Sequence, residues 1–179
     1  MQLVKTATQL FFADGYHPTS LEKVAEAAGY SKGAVYSNFR NKDELCTAVL
    51  DEIRSERLSE VLAIVARPDT PERIEALRDW AERVIGDPGW TSLEVEFTVH
   101  ARRSEPLRTA LATSLDNILQ MIAVAVESAD HPDLKMPGRD MATVMLALGV
   151  GLGLLRSVDP EIPVNALIDT LRLLTGQPF

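Results

Sequence analysis

Hydrophobic residues recur along most of this chain at the three- and four-residue spacing of an amphipathic α-helix. In the first segment the apolar positions share one helical face: Leu3, Val4, Ala7, Leu10 and Phe11. The next segment repeats the spacing with Leu21, Val24, Ala25 and Ala28. No run alternates apolar and polar residues for long enough to predict a β-strand. The pattern therefore predicts an all-α protein.

Capping residues, glycines and prolines divide this pattern into about nine helices. The first is predicted over residues 2 to 13, and Thr19, with Glu22 three residues later, predicts a capping box at the start of the second. Ser31 is expected to cap a third helix over residues 32 to 39, and Asn41, with Glu44, to cap a fourth that reaches about residue 66. Further helices are predicted over residues 71–85, 90–103, 106–128, 139–157 and 163–175.

The second and third helices are joined by only three residues, Gly29-Tyr30-Ser31. So short a connection is typical of a helix-turn-helix. On a helical wheel Val35 and Phe39 point together into the core. The outward face is then small and polar, and it consists of Lys32, Gly33, Ala34, Tyr36 and Ser37. Such a face suits the DNA major groove, because the backbone can come close and a few polar groups remain for base edges and phosphates.

An ordered set of short motifs spans the first three predicted helices and enters the fourth. They are Phe11-Phe12-Ala13-Asp14-Gly15-Tyr16, Thr19-Ser20-Leu21, Val24-Ala25-Glu26-Ala27-Ala28-Gly29, Ser31-Lys32-Gly33-Ala34-Val35-Tyr36-Ser37-Asn38-Phe39 and Lys42-Asp43-Glu44-Leu45. In this order and spacing they resemble the DNA-binding domain of TetR-type transcriptional repressors, over roughly residues 3 to 53. The resemblance implies a helix-turn-helix domain at residues 1–46, which includes the start of helix four. It also implies a helical ligand-binding and dimerisation domain at residues 47–179.

The resemblance further implies which residues contact double-stranded DNA. Thr19 and Ser20 would contact phosphates at the start of the second helix, and Lys42 at the start of the fourth. The groove face would comprise Lys32, Gly33, Ala34, Tyr36 and Ser37, together with Ser31 in the turn. By their chemistry Lys32 and Tyr36 suit phosphates. The expected partner is a palindromic operator.

Charge is distributed unevenly along the 179 residues, whose formal net charge is -8. Residues 1 to 50 carry equal numbers of basic and acidic side chains, so the acidic excess lies wholly in the remainder. Because an acidic surface repels polyanions, DNA must be contacted through the N-terminal segment. The longest uncharged stretch of the C-terminal half, residues 141 to 155, is shorter than a membrane span, so we expect no transmembrane helix. We expect a cytoplasmic protein.

The eighth helix is apolar on nearly every side and contains Gly149 and Gly153, four residues apart on one face. Glycines inside a helix cost about 1 kcal/mol each relative to alanine, so a close helix contact is expected to offset them. With the resemblance included, we predict a homodimer interface formed by Leu148, Gly149, Leu152, Gly153, Leu167 and Leu171. The alternative is that both helices only complete the core of the monomer.

A small-molecule effector site is predicted in the fifth to seventh helices, where aromatic and long apolar residues cluster. The expected pocket wall is Trp80, Trp90, Phe97, Ile118, Met121 and Ile122, with Glu94, His100 and Arg102 as orienting groups. Pockets of this kind are mostly apolar with few polar anchors. The alternative is that these residues form ordinary core, as any bundle of this size requires.

No pattern of catalytic or metal-binding residues accompanies these motifs. His17, His100 and His131 lie in unrelated segments without metal-ligand spacing, so we expect no metal and no cofactor. The single cysteine, Cys46, is expected to be a small buried hydrophobe. We therefore predict a non-enzymatic, homodimeric transcriptional repressor that a small molecule releases from its operator. The alternatives are a helical-bundle enzyme or carrier with structural N-terminal helices, and a dimer that binds a protein partner instead of DNA.

Overall fold

The computed structural model describes residues 2–67, 70–128 and 136–176. Within these residues the chain forms nine α-helices and no strand, which confirms the all-α prediction. The helices are α1 (Gln2–Asp14), α2 (Leu21–Ala28), α3 (Lys32–Asn38), α4 (Lys42–Val65), α5 (Thr70–Val84), α6 (Pro88–Ala101), α7 (Glu105–Ser128), α8 (Gly138–Val158) and α9 (Asn165–Leu174). Each end lies within two residues of its predicted position. His131 lies outside the described residues.

The chain packs as two compact units. Unit 1 comprises Met1–Arg57 and Pro88–Glu105, and unit 2 comprises Leu58–Asp87 and Pro106–Phe179. Helix α6 therefore packs with the N-terminal helices, although it is far from them in sequence. The predicted division into functional domains at residue 46 stays a prediction, because compactness alone does not define a functional domain.

The core of unit 1 is built from the apolar faces that the helical spacing predicts. Its buried side chains include Leu3, Phe11, Val24, Val35, Phe39, Leu45, Val49, Leu50, Leu93 and Phe97. Helix α1 contacts both α2 and α6. At Gly89 of α6 a Cβ would lie 2.8 Å from the Phe12 ring, so a glycine is needed for this close approach of α1 and α6.

The start of α2 differs from its prediction. The N-cap of α2 is Ser20, whose Oγ accepts a hydrogen bond of 3.1 Å from the Lys23 backbone N–H. Thr19 is instead buried, and its hydroxyl donates to the Gly15 carbonyl oxygen at 2.9 Å. The capping box on Thr19 and Glu22 was therefore wrong by one residue, because the tertiary fold turns the Thr19 side chain inward.

The predicted caps of α3 and α4 are confirmed. The Ser31 side chain accepts from the Ala34 backbone N–H at 3.2 Å. Asn41 Oδ1 accepts from the Glu44 N–H at 2.8 Å, and the Glu44 carboxylate accepts from the Arg40 N–H at 2.7 Å. These two hydrogen bonds at the start of α4 satisfy backbone N–H groups that the helix itself leaves unpaired.

The core of unit 2 is formed mainly by α5, α8 and α9. Its buried members are Ile74, Ala81, Ile85, Leu152, Val164, Leu167 and Ile168. Arg156 of α8 donates its Nε–H to the Ile85 carbonyl oxygen at 2.8 Å and a second N–H to the Ile162 carbonyl oxygen. This side chain thus ties the end of α5 to the connection between α8 and α9.

Candidate nucleic-acid interface

The turn between α2 and α3 has the backbone geometry of a helix-turn-helix. Gly29 ends α2 with φ of 72°, in the left-handed region that suits glycine. The next N–H, from Tyr30, donates to the Ala25 carbonyl oxygen at 2.9 Å. Ser31 then caps α3, so the reversal is complete within three residues. The predicted helix-turn-helix is confirmed.

Helix α3 separates a buried face from an exposed one as the sequence predicts. Val35 and Phe39 are buried among the core residues of unit 1. Lys32, Gly33, Tyr36 and Ser37 are exposed, as is Ser31 in the turn, and Ala34 is half-buried. A Cβ at Gly33 would meet only the Ser31 Oγ, at 3.9 Å. At Gly33 no side chain covers the helix backbone, so another macromolecule can approach it closely.

Tyr36 on this surface is held by an acidic residue of α2. Its hydroxyl donates to Glu22 Oε1 at 2.7 Å. This hydrogen bond lowers the pKa of the Glu22 carboxyl and raises the pKa of the Tyr36 hydroxyl. The residue pattern predicts a role for Glu22 only in a helix cap. No periodicity links residues on two different helices, so only the packing of α2 on α3 reveals this contact.

The other predicted phosphate contacts differ in accessibility. Thr19 is buried and bonded to the Gly15 carbonyl oxygen, which argues against a phosphate contact through its hydroxyl. Ser20 is exposed at the start of α2. The Lys42 ammonium donates to the carbonyl oxygens of Tyr16 and His17, at 2.9 and 3.0 Å. Lys42 therefore braces the connection between α1 and α2, and one of its three ammonium protons remains for another acceptor.

A polar cluster behind the helix-turn-helix joins α4 and α6 to the turn after α1. The Tyr16 hydroxyl donates to Asp43 Oδ1, and the same carboxylate oxygen lies 3.2 Å from His100 Nε2. The Tyr16 N–H donates to Glu96 Oε2 at 2.9 Å. Burial, followed by the bond to Asp43, raises the pKa of the Tyr16 hydroxyl. This cluster is the polar part of the contact between α6 and the N-terminal helices.

The buried thiol of Cys46 lies within the same unit. Burial, with a smaller contribution from the Asp43 charge, raises the pKa of this thiol. A thiol of raised pKa is a poor nucleophile at neutral pH, since the thiolate is the reactive form. The structure thus agrees with the interpretation of Cys46 as a small buried hydrophobe.

The predicted effector residues are divided between the two units. Trp90, Phe97 and His100 belong to unit 1, and Trp80, Ile118, Met121 and Ile122 belong to unit 2. An open cavity of about 600 Å³ in unit 2 includes Trp80, but six of its ten lining residues are charged. Since neither unit gathers all the predicted residues, the effector site stays a prediction.

Several of these residues have structural contacts in unit 1. The Arg57 guanidinium lies 4.4 Å from the centre of the Trp90 ring. The predicted orienting group Glu94 forms an ion pair with Arg54 at 3.3 Å, and Arg102 is exposed. Phe97 and His100 pack against the Tyr16 ring. The alternative that these side chains form ordinary core therefore describes Phe97 well.

The predicted dimer residues are largely covered within their own subunit. Leu152, Gly153 and Leu167 are buried, and Leu148 and Leu171 pack against the same core of unit 2. Five of the six predicted residues are therefore buried in, or packed against, the core of their own subunit, and the predicted dimer interface stays a prediction. Gly149 is only half-buried. The large apolar side chains that remain exposed on α7 and α8 are Leu115, Met121, Val124, Val150, Leu154, Leu155 and Val158.

By length and composition alone, α7 and α8 are long and apolar enough to cross a membrane. The expectation of no such helix is therefore not met on that criterion. Arg139 of α8 pairs with Asp116 of α7, so the two helices also carry an ion pair. Two helices of this composition do not by themselves indicate a membrane protein, because core helices of soluble proteins share it.

The family model for bacterial regulatory proteins of the tetR family matches residues 3–49. These residues are α1, the helix-turn-helix of α2 and α3, and the start of α4. Residues 3–49 therefore form a tetR-family domain. The resemblance that the sequence motifs suggest is thus confirmed for this part of the chain.

Relatives of the tetR-family domain are named as transcriptional regulators. The HTH-type transcriptional regulator TtgR of Pseudomonas putida is 40% identical over 52 residues, which are 29% of this chain and 25% of TtgR. The chain thus spans only a quarter of the length of that relative. The HTH-type transcriptional repressor Rv1474c of Mycobacterium tuberculosis is 26% identical over 152 residues, which are 68% of this chain and 81% of Rv1474c.

Solved structures share the fold over nearly the whole chain. The fatty acid degradation regulator FadR from Bacillus halodurans superimposes with a TM-score of 0.74 at 18% identity, covering 99% of this chain and 98% of FadR. Reduced NemR from E. coli superimposes with a TM-score of 0.75 at 18% identity, covering 97% of this chain and 95% of NemR. At 18% identity this likeness shows the fold alone.

Proposed function

We propose that the protein is a homodimeric transcriptional repressor that places α3 of each subunit in the DNA major groove and leaves its operator when a small molecule binds. The observation that carries this proposal is the polar and exposed face of α3, uncovered at Gly33, in a tetR-family helix-turn-helix. A protein that binds DNA inside a bacterial cell works in the cytoplasm, which we propose as its location.

The proposed DNA contact is testable through its dependence on salt. Each phosphate contact that is lost makes the plot of log affinity against log salt shallower by about 0.9. We expect Lys32→Ala, at the start of α3, to produce such a change with duplexes enriched from a random pool. Arg83→Ala is the matched control, because Arg83 is an exposed cation of unit 2 paired with Glu60. Equal slopes for wild type and Lys32→Ala would show that Lys32 makes no phosphate contact. Failure of the wild type to bind any duplex at low salt would refute the proposed DNA-binding function.

Base recognition is expected to behave differently from phosphate contact. Ser37 is exposed in the last turn of α3, next to Tyr36. If it faces base edges, Ser37→Ala will change the preference among operator variants more than the affinity for random duplex. Competition binding with a panel of operator variants measures both quantities.

The proposed dimer uses the exposed apolar faces of α7 and α8. Regulators of the tetR family are usually dimers. Leu154 is 50% exposed and Val124 is equally so, and an apolar surface of this kind is typically covered by a partner. A two-fold interface brings the same patch of both subunits together. The occupant we propose is therefore a second copy of this chain.

Substitution of Leu154 tests this interface. Two glutamates facing each other across a two-fold axis would repel, so Leu154→Glu should sediment as a monomer where the wild type is a dimer. Val99→Glu, at an equally exposed position of α6 in unit 1, is the control. A wild type that is monomeric at micromolar concentration would refute the dimer.

Effector control is proposed because tetR-family regulators bind small-molecule effectors. A tenfold loss of operator affinity needs an effector that prefers the non-binding conformation by about 1.4 kcal/mol. Trp80 and Trp90 are the only tryptophans and lie in different units, so single Trp→Phe variants report each unit separately. Small apolar compounds should change one emission spectrum and weaken operator binding over the same concentration range. Saturating binders that leave operator affinity unchanged would contradict effector control.

A further inference from the structure

Glu22 places a carboxylate on the exposed surface that α2 and α3 share. Its Oε1 accepts the Tyr36 hydroxyl proton at 2.7 Å, and the Lys32 charge also acts on it. Tyr36 itself is 48% exposed. Any DNA that reaches the Tyr36 hydroxyl therefore also meets an acidic group within one hydrogen-bond length.

This arrangement is poorly suited to binding a phosphate. Phosphate oxygens are negatively charged and accept hydrogen bonds only. The one proton of the Tyr36 hydroxyl is already donated to Glu22, so the remaining capacity of that oxygen is as an acceptor. The pKa of Glu22 is lowered and that of Tyr36 is raised, so at neutral pH the proton stays on the tyrosine. The sequence-based expectation that Tyr36 binds phosphate thus conflicts with its hydrogen bonding.

Neighbouring side chains of α3 also use their hydrogen-bond donors within the protein. The Ser37 hydroxyl donates to the Ala34 carbonyl oxygen at 2.9 Å, which leaves its lone pairs as acceptors. Asn38 donates from Nδ2 to the same carbonyl oxygen at 2.7 Å. Around Tyr36 the surface therefore presents acceptors, from Glu22, Tyr36 and Ser37.

The major groove offers a matching set of donors. Adenine presents its N6 amino group there and cytosine its N4 amino group, and carboxylates accept from cytosine N4. We propose that Glu22 and Tyr36 form a specificity-determining pair that accepts a hydrogen bond from an exocyclic amino group of cytosine or adenine. The inference rests on the proposed function, because it requires α3 to lie in the major groove.

The test removes single amino groups from the DNA. Starting from a duplex enriched by the wild-type protein, each adenine of one half-site is replaced by purine and each cytosine by 2-pyrimidinone. These analogues lack only the exocyclic amino group, so the two series distinguish the two bases. At one position we expect the wild type to lose about 5- to 100-fold in affinity. Glu22→Ala and Tyr36→Phe should each lose most of that discrimination at the same position.

Glu26→Ala is the matched control, because it removes the same charge from an exposed position one turn later on α2. It should keep the discrimination. The double variant Glu22→Ala/Tyr36→Phe should discriminate no worse than either single variant, because the two residues act as one unit. Thermal unfolding followed by circular dichroism verifies that each variant is folded.

Two results would overturn the inference. One is full discrimination by Glu22→Ala at every position of the half-site. The other is an equal loss in Glu26→Ala, which would indicate a general effect of charge. Failure of the wild type to prefer any duplex over random DNA is a different outcome, since it would refute the proposed function itself.

Discussion

Replacement of Tyr16 by phenylalanine measures how strongly the polar cluster holds α6 and α4 to the N-terminal helices. Tyr16 is 2% exposed, and its ring packs against Phe97 and His100 with centroids 5.4 and 4.9 Å apart. Phenylalanine keeps these ring contacts and also keeps the ring beneath the Lys42 ammonium, which lies 4.2 Å away. The substitution therefore removes only the hydroxyl that donates to Asp43.

The expected loss follows from that one hydrogen bond. A hydrogen bond to a charged group contributes about 1.5 to 3 kcal/mol. Because the Asp43 side chain is partly exposed and keeps His100 as a neighbour, we expect the lower end, about 1.5 kcal/mol. With a urea slope of about 2 kcal/mol per molar, the unfolding midpoint should fall by about 0.75 M.

The assay is urea unfolding followed by tryptophan fluorescence in a Trp80→Phe background, so that Trp90 reports unit 1. Tyr30→Phe is the matched control. Tyr30 is 42% exposed, and within the described part of the chain its hydroxyl has no hydrogen-bond partner. We expect this variant to change the free energy of unfolding by less than about 0.5 kcal/mol.

Equal midpoints for Tyr16→Phe and Tyr30→Phe would refute the reasoning, since the bond to Asp43 would then contribute nothing. A second measurement isolates the pair. In an Asp43→Ala background, Tyr16→Phe should have little further effect, because the acceptor is already absent. An unchanged loss in that background would assign the effect to something other than this hydrogen bond.

Two further predictions follow from backbone geometry and from the surface pair. Gly86 has φ of 96° and a Cβ there would lie 2.4 Å from the Arg156 Cβ, so Gly86→Ala should lower the free energy of unfolding by about 2 to 5 kcal/mol. Gly29→Ala, with φ of 72° and no atom within 4 Å, should cost only about 1 to 2 kcal/mol in urea unfolding. In Tyr36→Phe the pKa of Glu22 should rise towards its ordinary 4.5, measured by carbon NMR of the carboxyl. Because this hydrogen bond lowers the pKa of Glu22, the stability that it contributes is present above pH 4.5 and is lost as the pH falls. An unchanged Glu22 titration in Tyr36→Phe would contradict the hydrogen bond.

The helices and the helix-turn-helix were predictable because they depend on local chemistry. Ser31 and Asn41 cap helices through groups three residues away, and Gly29 supplies the one left-handed residue that the turn needs. The division of α3 into a face containing Val35 and a face containing Tyr36 follows from the helical period alone.

The candidate site was predictable only in part. Helical spacing identified Tyr36 as outward-facing, but it did not indicate that Glu22 would bind its hydroxyl from another helix. The resemblance implied that Lys42 contacts a phosphate, whereas its bonds to the Tyr16 and His17 carbonyl oxygens depend on how α4 packs under the turn. Thr19 was expected at the surface as the N-cap of α2. The N-cap is instead the next residue, Ser20, and the Thr19 side chain is buried.

For the apolar helices, too, the sequence determines one part of the structure and tertiary packing determines another. Residue spacing is enough to establish that α8 is apolar around most of its circumference. It took the packing of unit 2 to establish that Leu152 and Leu167 face the core of their own subunit, while Val150 and Leu154 remain exposed. A helical period states which residues avoid water, but any apolar surface of suitable shape can cover them. The choice between a neighbouring helix and a second subunit is therefore made by packing between segments distant in sequence.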